Sequence, residues 1–248
     1  MTPPDETKPK KYIDVEADGP YTVHGDIPLV RKIQVVSEQG EPLTWKKQGE
    51  IPTAEGYSLC RCGHSESFPF CDSSHNWVDF DGSENAPTNT FAERSFDYPG
   101  GSKLIIHFDL DLCTESGFCG NRDRALAEMA AETDDIHVRT EAIHMVEHCP
   151  AGALTLRFAG DDSDTEVDLP QQIAVTTEIV AEGAIRGPLW VTGGIQVFRS
   201  DGQPLERRNR VTLCNCGHSQ IKPLCDGSHR APSYQRSAAS EQPSAKTE

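Results

Sequence analysis

Hydrophobic and polar positions along this chain alternate in short bursts and never in long stretches. β-Branched and aromatic residues bounded by Gly and Pro turns predict strands over 29–36 and 195–198. Residues 57–59 and 211–213 read as shorter strands, each delivering the first cysteine of a loop. In the middle of the chain the pattern predicts a strand over 103–108 and a helix over 123–132. A second helix over 140–148, with Thr140 as N-cap, and a strand over 153–158 follow. Residues 82–90 and 160–172, polar or acidic with Pro and Ser, read as linkers. Residues 1–12 and 231–248 carry no apolar periodicity and read as disordered tails.

An internal repeat organises the rest. Gly19-Pro20-Tyr21-Thr22-Val23-His24-Gly25 parallels Gly187-Pro188-Leu189-Trp190-Val191-Thr192-Gly193, and Gly40-Glu41-Pro42-Leu43 parallels Gly202-Gln203-Pro204-Leu205. Each copy then runs into a cysteine motif. The expected division is a first repeat module (13–80), a middle module (91–159) and a second repeat module (172–230) between the two tails. The fold class expected is α+β.

Only 36% of residues are hydrophobic and 7% aromatic, lean for one large core and suited to small modules that metal helps to hold. No apolar run nears the roughly 18 residues that span a bilayer, and the polar, Pro-bearing N-terminus has no apolar leader. The chain reads as soluble and cytoplasmic, with no membrane association. A net charge of −16 opposes binding to nucleic acid, whose affinity comes from Lys and Arg displacing counterions. It favours a basic protein partner, or serves solubility alone.

The nine cysteines are an odd number, so they cannot all pair as disulfides. They fall into three groups of three: Cys60, Cys62, Cys71; Cys113, Cys119, Cys149; Cys214, Cys216, Cys225. Metal ligation accounts best for this grouping. The outer groups each extend to a histidine, His75 and His229, and both fit C-x-C-x2-S-x3-P-x-C-D-x2-H without a gap. Three thiolates and an imidazole complete the coordination of two sulfide-bridged irons, and they also suit one tetrahedral zinc. The C-x-C spacing differs from the two short ligand pairs usual in zinc sites. His64 and His218 recur in both loops beyond the four ligands, and Asp72 and Asp226 are expected to cap the turn after the last cysteine.

These motifs resemble the CDGSH iron–sulfur family, the NEET proteins. The likeness is close over about 55–76 and 210–230. It implies a 2Fe-2S cluster on Cys60, Cys62, Cys71 and His75, and another on Cys214, Cys216, Cys225 and His229. The second copy carries the full signature, whereas the first has Ser73 where the family has Gly. Because proteins of this family pair two chains through strands, the resemblance implies an intrachain pseudo-two-fold unit of two β-rich CDGSH modules in a monomer.

Between them, Cys113-Thr114-Glu115-Ser116-Gly117-Phe118-Cys119 and the distant Cys149-Pro150 resemble a ferredoxin cluster run in which Ser116 replaces the second cysteine. The middle module therefore looks like a divergent, βααβ ferredoxin-like domain of the three-cysteine kind. That resemblance implies a 3Fe-4S cluster on Cys113, Cys119 and Cys149, or a 4Fe-4S cluster if Ser116, Glu115, His144, His148 or water supplies the fourth position.

No nucleophile elbow, phosphate loop or dinucleotide fingerprint is present. The expected function is one-electron transfer without substrate chemistry of its own, the partner being a basic reductase or other oxidoreductase. Cluster storage or transfer, redox or pH sensing, and service as an electron-transfer subunit are the other readings.

Overall fold

The computed structural model describes residues 8–234. Five strands come first: β1 (Tyr12–Val15), β2 (Tyr21–His24), β3 (Leu29–Val36), β4 (Pro42–Ile51) and β5 (Tyr57–Leu59). The middle region holds α1 (Phe91–Arg94), β6 (Phe96–Asp97), β7 (Leu104–Phe108), α2 (Leu126–Met129), α3 (Ile136–His148) and β8 (Leu154–Phe158). The chain closes with β9 (Gln172–Val180), β10 (Gly183–Thr192), β11 (Gln196–Phe198) and β12 (Arg210–Leu213). Sheets dominate and helices are few, as the α+β expectation requires.

In β1 and β2 every second residue is buried (Ile13 and Val15, then Tyr21 and Val23), the pattern of strands with one face on a core. Three sheets result, ordered β11-β1-β2-β5, β12-β10-β9-β3-β4 and β6-β7-β8. The outer two exchange strands. β1 runs parallel to β11 with Tyr12 opposite Gln196, and β9 runs parallel to β3 with Ile173 opposite Leu29. Neither repeat builds a sheet from its own strands alone.

Several expected boundaries move. The segment 1–12 is not free of structure over its described part: Tyr12 opens β1, and Lys8 pairs with Asp14 at 2.7 Å. Residues 1–7 lie outside the described residues. At the other end Tyr234 is only 6% exposed, so structure continues past 230, while 235–248 lie outside the described residues. The helix expected at 123–132 is the short α2 followed by a 3-10 turn, Ala130–Glu132. The helix expected from Thr140 begins four residues earlier. Asp135 is its N-cap, accepting from the N–H groups of His137 (2.7 Å) and Val138 (3.3 Å), and Thr140 instead bonds back to the carbonyl of Ile136.

The segments read as linkers are pinned. Arg199 donates to the carbonyl of Ala86, and Thr192 to that of Pro170. The middle region does not stand apart, because one core runs through all three regions, from Ile13 and Leu29 through Ile106, Leu126 and Leu156 to Ile173 and Leu213. Arg210, 2% exposed, donates to the carbonyls of Val146 and Leu154, tying β12 to the end of α3 and the start of β8. Gln34 on β3 donates to the carbonyl of Ser116, and Trp45 packs on Phe118.

Candidate metal centres

All nine cysteines are free thiols. The two outer loops share one hydrogen-bond scaffold, which explains the motif residues that are not donors to metal. Cys60 N–H bonds the carbonyl of Pro69, as Cys214 N–H bonds that of Pro223, both at 2.8 Å. Ser65 donates to the carbonyl of Phe70, and Ser219 to that of Leu224. Asp72 accepts from the N–H groups of Glu66 (2.8 Å) and Ser74 (3.0 Å); Asp226 accepts from those of Gln220 (2.8 Å) and Ser228 (2.9 Å). Each aspartate thus ties the front of its loop to the 3-10 turn, Ser74–Asn76 or Ser228–Arg230, that carries the histidine.

This scaffold sets the donors in pairs. Cys60 and Cys62 place their sulfurs 3.8 Å apart, and Cys71 Sγ lies 3.5 Å from His75 Nδ1. In the second loop the same separations are 3.6 Å (Cys214, Cys216) and 3.4 Å (Cys225, His229). Two donors on one tetrahedral metal atom, with sulfur at about 2.3 Å and nitrogen at about 2.0 Å, stand about 3.8 Å (S, S) or about 3.5 Å (S, N) apart. The residues present therefore fit two metal atoms per loop.

One thiol of each outer loop is lowered, while burial raises Cys71 and Cys225. A hydrogen bond from Cys62, opposed by burial and aided by the N–H groups of Ser65 and Gly63, pulls Cys60 down to about 6. Cys216 does the same for Cys214, also to about 6, while the partner thiols are pushed up by the shared proton. One proton leaves each pair readily, and a cation is needed to displace the second.

The two loops meet. Gly63 has φ +85° and Gly217 φ +81°, and each packs its α-carbon against the carbonyl of the other loop's second cysteine. His64 and His218 line a cleft of about 250 Å³ over this contact, with Asp79, Asp81 and Lys222. Burial lowers the pKa of His218. Neither histidine takes a place among the paired donors.

In the middle region Cys113 follows the 3-10 turn Leu110–Leu112, Cys119 ends the loop, and Cys149 follows α3. Cys113 and Cys119 both feel the charge of Cys149, but among the described residues no three such donors gather around a single metal position. Burial pushes Cys113 up, against a hydrogen bond from the N–H of Glu115 and with help from Cys149, and burial with the charges of Cys149 and Cys113 pushes Cys119 up, although Cys119 lies at the surface. Ser116 is buried, with its carbonyl held by Gln34, and Glu115 is exposed in the left-handed region (φ 56°). His148 directs Nδ1 to the carbonyl of His144, and His144 directs Nε2 to that of Leu43.

A family model described as an iron-binding zinc finger of CDGSH type matches residues 18–76 and 186–230, and one described as a divergent 4Fe-4S mono-cluster matches residues 100–158. The chain is an iron–sulfur protein. Searches of curated proteins and of solved structures gave no match. The two CDGSH matches take in the strands ahead of each loop, β2 to β5 in the first module and most of β10 to β12 in the second. Among the described residues no helix is long and apolar enough to cross a membrane.

Three residues near the CDGSH loops escaped the sequence reading. Tyr21 donates from the first module to the carbonyls of Cys214 (2.7 Å) and Pro223 (3.0 Å) in the second. Arg61 is buried, its guanidinium donating to the carbonyls of Glu16 and Gly82. Glu178 is fully buried against His229. A lone carboxylate in the otherwise apolar or hydroxylic run Ile173 to Val180 was the available signal.

Proposed function

We propose that this chain is an electron-transfer protein with two 2Fe-2S clusters and one 3Fe-4S or 4Fe-4S cluster. Cys60, Cys62, Cys71 and His75 would hold the first, and Cys214, Cys216, Cys225 and His229 the second. Cys113, Cys119 and Cys149 would hold the third. When bound, such clusters supply one-electron redox centres. The protein contributes the burial, the N–H bonds to sulfur from Gly63 (3.3 Å), Ser73 (3.4 Å) and His218 (3.4 Å), and the docking surface.

The observation that carries this reading is the pairing of donors in both loops at the separations two metal atoms require. Reciprocal strand exchange and the packing of Gly63 on Cys216 support an intrachain pseudo-two-fold arrangement of the two CDGSH modules. The net charge of −16 favours a basic redox partner met in the cytoplasm.

A second reading, donation of a cluster to an apo-acceptor, is favoured by one observation: Cys71 and His75 form a half-exposed edge, unlike their buried counterparts. Anaerobic metal and sulfide analysis tests the common ground, with roughly seven irons per chain expected for a 3Fe-4S middle site and eight for 4Fe-4S. Zinc in place of iron, or iron without sulfide, would defeat both readings. Rapid reduction by a reductase with iron retained supports the carrier; delivery of iron and sulfide to an apo-acceptor supports the donor.

A further inference from the structure

The two CDGSH loops repeat each other donor for donor, yet the second buries a carboxylate beside its histidine, paired to Arg230 and with Lys222 in the same loop, that the first does not have. In the second loop the His229 ring is 1% exposed, with Nδ1 facing Cys225 Sγ at 3.4 Å and Nε2 lying 2.8 Å from Glu178 Oε2. Glu178 is 0% exposed, and the same oxygen lies 2.7 Å from Nη2 of Arg230. The first loop has neither feature. His75 is half-buried, and among the described residues no carboxylate contacts its ring. Between the first two cysteines the first loop buries the cation of Arg61, where the second places neutral Asn215.

A carboxylate buried in the middle of a strand is costly unless the surroundings are built for it. Here Oε2 is paired with His229 and Arg230, while Oε1 is buried without a hydrogen-bond partner. β10 shifts register between Arg186 and Leu189 opposite this part of β9, and Gly187 falls in the shift. A β-carbon on Gly187 would lie 2.4 Å from Oγ1 of Thr176 and 2.9 Å from Cγ of Glu178, so glycine leaves room for both side chains. Asn215 then holds the carbonyl of Gly187 at 3.0 Å, linking this pocket to the metal loop.

We infer that Glu178 is the positioning residue of the second outer site, holding His229 with Nδ1 toward the metal and setting the reduction potential of that site below that of the first. The inference rests on the iron–sulfur reading of both loops. With Nδ1 as the ligating atom, Nε2–H donates to Glu178. A carboxylate on the distal nitrogen fixes the ring and makes it a stronger electron donor. Reduction adds one negative charge, which the carboxylate hydrogen-bonded to the ring and the dry surrounding of the second site oppose against the cations of Arg230 and Lys222; solvent exposure favours reduction at the first site. One sequence motif thus yields two unequal centres.

The test is a potentiometric titration of the full-length, iron-loaded protein with dithionite, following the paramagnetic signals of the reduced outer clusters. Wild type should show two distinct outer potentials. H75C should move the higher one downward, because a thiolate replaces a neutral imidazole, and so assign it to the first site. E178Q should raise the lower potential, leaving the higher one and the iron content unchanged, and E178D should fall between E178Q and wild type. Two equal potentials in wild type, an H75C shift in the lower one, or a loaded E178Q with its lower potential unmoved would each overturn the role of Glu178. If E178Q fails to load, E178D carries the test: a loaded E178D with its lower potential unmoved would overturn the role of Glu178. Absence of 2Fe-2S signals from a wild type containing zinc would instead overturn the iron–sulfur reading, and this inference with it.

Discussion

Gly63 packs so closely on Cys216 that a β-carbon built on it would lie 2.6 Å from the carbonyl oxygen of Cys216, and Gly217 stands in the same relation to Cys62 at 2.7 Å. Both glycines also have positive φ. G63A or G217A must therefore strain the backbone and push the two loops apart, at a cost of more than about 2 kcal/mol. Chemical denaturation should show a lowered midpoint for either variant, and G63A should disturb the visible spectrum of the clusters proposed for both outer loops. A G63A protein as stable as wild type would contradict the contact.

Ser73 adopts φ 71° where its counterpart Gly227 adopts φ 87°. The first module thus holds a side chain in a conformation that costs an L-residue about 1 kcal/mol. S73G should raise stability by about that amount. G227S should lower it by more, because a β-carbon there lies 3.1 Å from the carbonyl of Thr114 in the middle module. Comparing the two melting curves checks both signs at once.

The two motif aspartates give a pH dependence. Hydrogen bonds from the hydroxyl and N–H of Ser74, then from Glu66, hold Asp72 well below the usual carboxylate range; Asp226 is also lowered, despite burial, by Gln220 and Ser228. A carboxylate whose pKa is depressed on folding stabilises above its unfolded value of about 3.9, and the contribution disappears as pH falls through the folded value. D72N/D226N should therefore be less stable than wild type by the same margin at pH 7 and pH 5, measured by urea denaturation. A margin that shrinks over this interval would contradict the assignment.

Arg210 anchors the middle module, donating to the carbonyls of Val146 and Leu154 and pairing with Glu166 at 2.9 Å. R210A strips buried carbonyls of their donor and should cost about 3 kcal/mol. Because Cys149 follows immediately on α3, the cluster proposed for the middle region should be the first lost on warming, read from the paramagnetic signal proposed for it. Loss of the outer clusters first would contradict this anchoring role.

What was legible in the sequence is what nearby residues determine. The cysteine motifs that the CDGSH model matches are spelled by spacing, and β3 and β5 by short runs of β-formers, at the bounds observed. β4 was not legible, since most of its residues are exposed and it shows no alternation. The start of α3 was missed because Ile136 is 63% exposed, so the first turn gives no apolar stripe, only the cap of Asp135. The Glu178–His229 contact was hidden for a different reason. It joins residues 51 positions apart and exists only because β9 is wedged between β3 and β10.

The parallel pairing of β3 with β9, and of β1 with β11, also governs how the protein is made. On the ribosome β3 emerges long before the strand that will cover its inner edge, and β1 waits for a partner from nearly the end of the chain. Pairings so distant in sequence form slowly and leave edges bare in the meantime. A nascent chain that already displays Cys60, Cys62 and Cys71 has not yet made Cys216, against which Gly63 must close. The first iron-binding loop can therefore reach its finished shape only after translation has passed the last, and a truncated product will present thiols without the shelter that the second half provides.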